Sequence, residues 1–253
     1  MVEAHSLNNI LERISSELPR TVTVLKKEEK QVFGLMTSLS MNQPVTYQTV
    51  RIQETRDTKL VGILFAHPQT SLAQSEIIKF LQHFHLRSGD AIDFFCVGYG
   101  AYWPPEHYAD QSTVVKIDGV DWLFSEQAFS NVIDELEAST KWNFSGETEL
   151  LLVTAKKESN SEQVKLDFST AIICNLEKMS KDNAFTSVRA FFNDLFNYAK
   201  QHSESDPTWG LSDNRGFEVG KSALKDAVLS LLPDQLKESY KKAENYAIRN
   251  IEK

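Results

Sequence analysis

The segment that most constrains this chain is Leu60-Val61-Gly62-Ile63-Leu64-Phe65-Ala66, seven apolar residues without a polar interruption. A run of that length ended by His67-Pro68 reads as a central strand covered on both faces. Ser71, with Gln74 three residues later, opens a helix by a capping box. Its core face would be Leu72, Ile77, Phe80, Leu81 and Phe84, and it would stop near Gly89. A second apolar strand follows at Ile92 to Val97. Strand, helix and strand at this spacing form a βαβ unit, whose strands are parallel and whose crossover is right-handed.

The flanking segments add elements to this unit. Leu7, Ile10, Leu11, Ile14 and Leu18 share one helical face between a cap at Ser6 and a stop at Pro19. Thr21 to Leu25 alternates as a strand, and Val32, Phe33, Met36 and Leu39 recur at helical spacing. Val45 to Gln53 reads as a strand whose apolar phase shifts between Tyr47 and Val50, as a bulge or two-sided burial would produce. Asp118-Gly119 joins Val114–Ile117 to Val120–Phe124 as a hairpin ornamenting the sheet. Ser125 caps a helix carrying Phe129, Val132, Ile133 and Leu136.

The break from Lys156 to Gln163 is too short for a crossover helix, so the strands Glu149–Thr154 and Leu166–Cys174 pair antiparallel. A strongly apolar helix follows, with Val188, Phe191, Phe192, Leu195, Phe196 and Ala199. Two closing helices bracket Leu232-Pro233, one marked by Leu224, Val228 and Leu231, the other by Leu236, Tyr240, Ala243 and Ala247. The expected fold is α/β, a central mixed sheet with a βαβ unit and then an antiparallel hairpin. It forms one domain over residues 1–253, with an N-terminal extension (1–59), an α/β core (60–202) and a C-terminal helical cap (203–253).

From Leu60 to His202 the order of elements, βαβ, helix, hairpin, helix, resembles the thioredoxin-like fold, and a plain three-layer α/β sandwich is its competitor. Thioredoxins carry Cys-x-x-Cys where the first strand meets its helix. Here that position is His67-Pro68-Gln69-Thr70-Ser71, and Gly146-Glu147-Thr148 stands where the family has a proline before its hairpin. The resemblance therefore implies a fold without the family's redox chemistry. The chain is also similar to uncharacterised bacterial proteins of the kind encoded near defence or stress genes.

Charge narrows the partners. With 35 acidic and 27 basic residues the formal charge is −8, which repels nucleic acid and anionic lipid surfaces and suits a basic protein. Cys96 and Cys174 sit inside apolar runs as small hydrophobes. No apolar stretch approaches a membrane span and no leader pattern opens the chain, so the cytoplasm is the expected location. Gly216-Phe217-Glu218-Val219-Gly220-Lys221-Ser222 is one residue short of a P-loop and follows no strand, and Gly98-Tyr99-Gly100 lacks the third glycine of a dinucleotide fingerprint. His83 and His85, two apart on a helix, face different ways. Neither a metal nor a cofactor is expected.

Two functional readings remain. In the first, aromatic loops hold Tyr99, Trp103, Trp142 and Trp209, with Arg215, and the chain is a non-catalytic module binding a protein partner. In the second, His67 ends the first strand of the βαβ unit and His107 lies in the loop after the second, on the same edge of the sheet, where ligands of open sheets bind. One of them would act as acid or base with Glu147 or Asp206 as partner and Arg215 for an anion, in an enzyme or small-ligand sensor.

Overall fold

The structure is a computed structural model and describes residues 2–29, 47–88, 92–104, 106–158, 163–205 and 246–253. The apolar run forms β4 (Thr58–Phe65), buried along its whole length, and β5 (Ile92–Val97) lies parallel beside it, Leu60 opposite Ile92. β9 (Glu149–Lys157) pairs antiparallel with the other side of β4, and β10 (Val164–Asn175) pairs antiparallel with β9 as the short break requires. Two further strands complete a six-stranded mixed sheet. β1 (Val2–Ala4) runs parallel to β5, β11 (Tyr246–Arg249) runs antiparallel to β10, and the order is β1-β5-β4-β9-β10-β11.

Side-chain alternation divides the sheet's two faces. Gly62 stands opposite both Phe94 and Leu152, and a Cβ there would lie 2.7 Å from the Phe94 ring. The missing side chain lets Phe94 lie across β4 and meet Phe192 and Phe196 of α5 (Val188–Ser205), at 4.9 and 5.2 Å between ring centroids. Phe84 of α2 (Leu81–Ser88) joins the same stack, 5.0 Å from Phe192. Phe65 points to the opposite face, where it meets Trp142 and Phe129 of α3 (Glu126–Ser139). There α1 (Leu7–Glu17) buries Ile10 and Ile14, and its first amide, Leu7 N–H, donates to Glu135 of α3.

Local signals set several element ends. Ser6 accepts from the Asn9 amide at 3.0 Å and Ser125 from the Ala128 amide at 3.0 Å, so both read caps are real. The helix after β4 differs by one residue. Thr70, not Ser71, accepts from the Ala73 amide, because the Thr70 hydroxyl also sits 3.1 Å from the His67 carbonyl and so closes the turn leaving the strand. That helix begins with a π segment (Ala73–Ile77) and a 3₁₀ turn (Ile78–Phe80) before α2.

Other expectations need correction. β2 (Arg20–Glu29) and β3 (Tyr47–Arg56) pair from Arg20 opposite Arg56 to Glu29 opposite Tyr47 without a bulge, and residues 47–49 are exposed, so β3 is neither kinked nor buried on both faces. The Asp118-Gly119 hairpin joins β7 (Ser112–Ile117) and β8 (Val120–Phe124), with both turn residues at positive φ. It does not extend the main sheet but pairs with β6 (Tyr99–Ala101) as a separate three-stranded sheet. Gly98 makes the corner between β5 and β6 at φ 79°, where a Cβ would fall 2.7 Å from Phe129.

Ala247, read as part of a helical face, lies in β11, where the ladder to β10 overrides a weak helical pattern. A short helix, α4 (Leu176–Lys181), capped by Asn175, follows β10 without a break. The helix read over Val32 to Leu39, the closing helices through Tyr240 and the segment Gly216–Ser222 lie outside the described residues.

At the amino ends of β4 and β5, Lys59 is buried between two carboxylates. Its Nζ donates to Asp93 Oδ1 at 2.6 Å and to Glu17 Oε2 at the end of α1, and Arg13 pairs with the same Glu17 at 2.9 Å. Burial pushes the Asp93 carboxyl up, with Lys59 opposing it.

Candidate functional site

The expected crevice lies at the opposite end of those strands, where the sheet's carboxyl ends meet the start of β9. His67 is half-buried there, its ring edge-on to Phe124 and Phe129 at 5.2 and 5.4 Å. The Gln69 amide donates to its Nδ1 at 3.2 Å, which leaves Nε2 as the N–H facing Glu126 Oε2 at 2.6 Å. Both ring nitrogens are thus committed to the turn leaving β4 and to the first turn of α3.

Thr70 continues from this turn to the sheet. Its hydroxyl lies 3.1 Å from that of Thr148, and Thr148 donates to Glu177 Oε1 at 3.1 Å. The predicted partner Glu147 is next to Thr148 but faces α4, accepting from Asn175 Nδ2 at 2.7 Å and from Lys181 Nζ at 3.3 Å. The Asn175 hydrogen bond, with Lys181 behind it, holds the Glu147 carboxyl below the ordinary glutamate range. The hydrogen-bonded chain thus runs from the His67 carbonyl through Thr70 and Thr148 to Glu177, while Glu147 turns to Asn175 and Lys181 and does not touch His67 as an acid–base pair.

Glu149, the first residue of β9, drew no attention in the sequence. It is 4% exposed, Ser145 and Trp142 neighbour its carboxyl, and one of its oxygens has no partner among the described residues. Burial pushes its carboxyl up, Ser145 and Trp142 oppose that, and Glu147 adds to it. A glutamate opening an apolar strand looks like a solvated strand end in sequence; only the packing of residues 141–148 over it makes it interior.

The aromatic candidates separate. Tyr99 is wholly buried and donates to the Ala66 carbonyl at 2.6 Å, and Trp142 is buried 4.8 Å from Phe65. Both seal the core. Trp103 is half-buried over Gly100, where its indole would collide with any Cβ, and it packs against Tyr108 at 5.1 Å and His5 at 5.9 Å. The Tyr108 hydroxyl lies 3.1 Å from His5 Nδ1.

His107 is exposed on this same loop beside Tyr108, apart from the contacts of His67. Tyr102, which sequence reasoning passed over, is 82% exposed and has φ 61°. The loop around it is pinned at its far end by Asp110, which accepts from the Ser125 hydroxyl and the Gln127 amide, both at 2.8 Å.

Asp206, Trp209 and Arg215 lie outside the described residues. No helix among the described residues is long and apolar enough to cross a membrane. No protein-family model, no curated protein and no solved structure matches this chain.

Proposed function

We propose that this chain is a non-catalytic module that binds a protein partner through the loop between β6 and β7. The observation that carries the reading is Tyr102, 82% exposed with its backbone at φ 61°. A bulky L residue in that region costs on the order of 1–2 kcal/mol, and glycine or asparagine would relieve it. Burial does not compensate the strain, since the ring lies in solvent, so an external contact is the economical reason for a tyrosine there. On the same loop Trp103 packs against Tyr108, and Asp110 accepts the Gln127 amide; contacts that restrain a loop lower the entropic cost of binding.

The histidine reading has less support. A general base needs a lone pair within reach of its substrate, whereas the Nδ1 lone pair of His67 accepts the Gln69 amide and Nε2 faces Glu126. We also read the fold as thioredoxin-like. The succession β4, helix, β5, α3, β9, β10, α5 supports that reading, with His67-Pro68-Gln69-Thr70-Ser71 in place of the redox pair.

A benzophenone photocrosslinker placed at position 102 in the native host tests the partner reading. It is expected to capture one discrete protein that the same probe at Leu86, 69% exposed on α2, does not. Equal or absent capture at both positions refutes it.

A further inference from the structure

At the amino ends of β4 and β5 the fold brings an amine, a carboxyl and a second carboxylate into contact. Val61 stands opposite Asp93 in the parallel ladder, and Lys59, two residues earlier on β4, projects from the same face of the sheet. The side chains of Lys59 and Asp93 are 3% and 5% exposed, with Lys59 Nζ 2.6 Å from Asp93 Oδ1. Glu17 reaches them from the end of α1. Its Oε2 accepts from Lys59 Nζ, its Oε1 accepts from Arg13 at 2.9 Å, and its carboxyl also neighbours that of Asp93.

An ion pair alone leaves this cluster unsatisfied. A buried carboxylate offsets its desolvation only when its remaining lone pairs are hydrogen-bonded, and Asp93 Oδ2 has no hydrogen-bond partner among the described residues. An amide between Lys59 Nζ and Asp93 Cγ removes both buried charges and the orphan oxygen together. The groups also hold the protonation states that such a condensation needs. Burial pushes the Asp93 carboxyl up toward its neutral, electrophilic form, against Lys59. Glu17 is the reverse case: although burial raises it, Lys59 and Arg13 hold it low, as a carboxylate able to take a proton.

We infer that Lys59 and Asp93 join in an intramolecular isopeptide bond that staples β4 to β5, with Glu17 as the base. Glu17 takes one proton from the Lys59 ammonium, and the freed amine attacks Cγ of the protonated Asp93 carboxyl. A C–N bond forms, the C–O bond to the hydroxyl breaks, and the hydroxyl leaves as water with a second proton from the nitrogen. Amide, water and protonated Glu17 result, so charge and electrons balance without an oxidant; Glu17 then returns its proton to solvent beside Arg13. Positioning drives the step, since groups held in contact react with effective molarities on the order of 10⁵–10⁸ M, and the interior withholds the water that reverses it. The strap resists reductant, as a disulfide does not, and it is independent of the partner reading. Removing Lys59 strands the Asp93 carboxyl in the interior whether the native cluster is ionic or joined.

The test is the intact mass of the full native chain, denatured just before measurement. A mass one water, about 18 Da, below that of the sequence is expected, and proteolysis should release a branched peptide joining Lys59 to Asp93. Lys59→Arg keeps the cation but not the nucleophilic amine, and Glu17→Gln removes the base. Both variants are expected to stay at full mass and to yield no branched peptide.

A native chain still at full mass after prolonged incubation at neutral pH overturns the inference. So does a missing water that persists in Lys59→Arg, because it places the dehydration elsewhere, as at the Asp118-Gly119 turn. Undiminished cross-linking in Glu17→Gln overturns the assignment of Glu17 as the base. The wild-type mass and its branched peptide decide the matter even where a variant fails to fold.

Discussion

Replacing Lys59 by methionine isolates the buried charge cluster at the amino ends of β4 and β5. Lys59 and Asp93 are each 4% exposed, and Lys59 is the cation common to Asp93 and Glu17. Without it, Asp93 must either stay ionised in the interior or take up a proton. Removing one partner of a buried pair costs about 3–5 kcal/mol. Proton uptake gives the same scale, since lifting an aspartate by about three pH units to reach neutrality costs about 4 kcal/mol at 1.36 kcal/mol per unit.

Lys59→Met should therefore lose about 3–5 kcal/mol at neutral pH, measured by urea unfolding with an unchanged m value. The sign with pH follows from Asp93, whose carboxyl burial already pushes up and which loses its counter-charge in the variant. A folded-state pKa above the unfolded one makes the penalty full above the folded value and absent below the unfolded value. The deficit of Lys59→Met should thus shrink as the pH falls from about 7 to about 4.5. Glu17 behaves oppositely in the native protein: although burial raises it, Lys59 and Arg13 hold it low, so its contribution is lost only as the pH falls through that lowered value. Adding Asp93→Leu to Lys59→Met should recover most of the loss, because an apolar pair of similar volume needs no counter-charge. A deficit under about 1 kcal/mol at neutral pH, or one that does not change on acidification, would refute this account.

Three other perturbations probe the fold and the crevice. Gly62→Ala puts a Cβ 2.7 Å from the Phe94 ring and should cost about 1–3 kcal/mol by displacing the Phe94–Phe192 contact; a neutral result in thermal unfolding would mean that the stack yields freely. Ser125→Ala removes both the acceptor for the Ala128 amide and the donor to Asp110, with an expected loss of about 1–2 kcal/mol and faster amide exchange in residues 108–111. In Glu149→Gln the neutral form becomes permanent. Because burial raises the Glu149 carboxyl, against Ser145 and Trp142, the native chain loses stability as the pH rises from the ordinary glutamate value through the raised one. The glutamine variant should gain on it as the pH rises above the ordinary glutamate value, and a constant gap between the two denaturation midpoints would show that burial does not raise the Glu149 carboxyl.

What could be read from the chain was local. Apolar runs located β4 and β5, Asp118-Gly119 located the β7–β8 turn, Ser6 and Ser125 located two helix starts, and the short break before Gln163 gave the antiparallel pairing of β9 and β10. Each of these is a property of a few adjacent residues: a dihedral preference, a hydroxyl three residues from an amide, or a connection too short to cross. Where the local signal was weak, tertiary pairing decided. Val2–Ala4 is too short to show a period yet becomes an edge strand, and Tyr246–Arg249 exchanges a helical pattern for the ladder to β10.

The site shows the same division. His67, Glu147 and the aromatic loops were visible as residue types at strand ends, but their states were not. That the Nε2 of His67 faces Glu126, that Tyr99 and Trp142 close the core while Tyr102 stands in solvent, and that Glu17, Lys59 and Asp93 form one cluster all depend on segments far apart in the chain. The sequence alone determined the α/β class, the order of its central elements and the surplus of negative charge. Only the tertiary structure decided which polar groups are buried and paired and which aromatic ring is offered outward, because burial and hydrogen bonding are set by what packs across a position and not by its neighbours along the backbone.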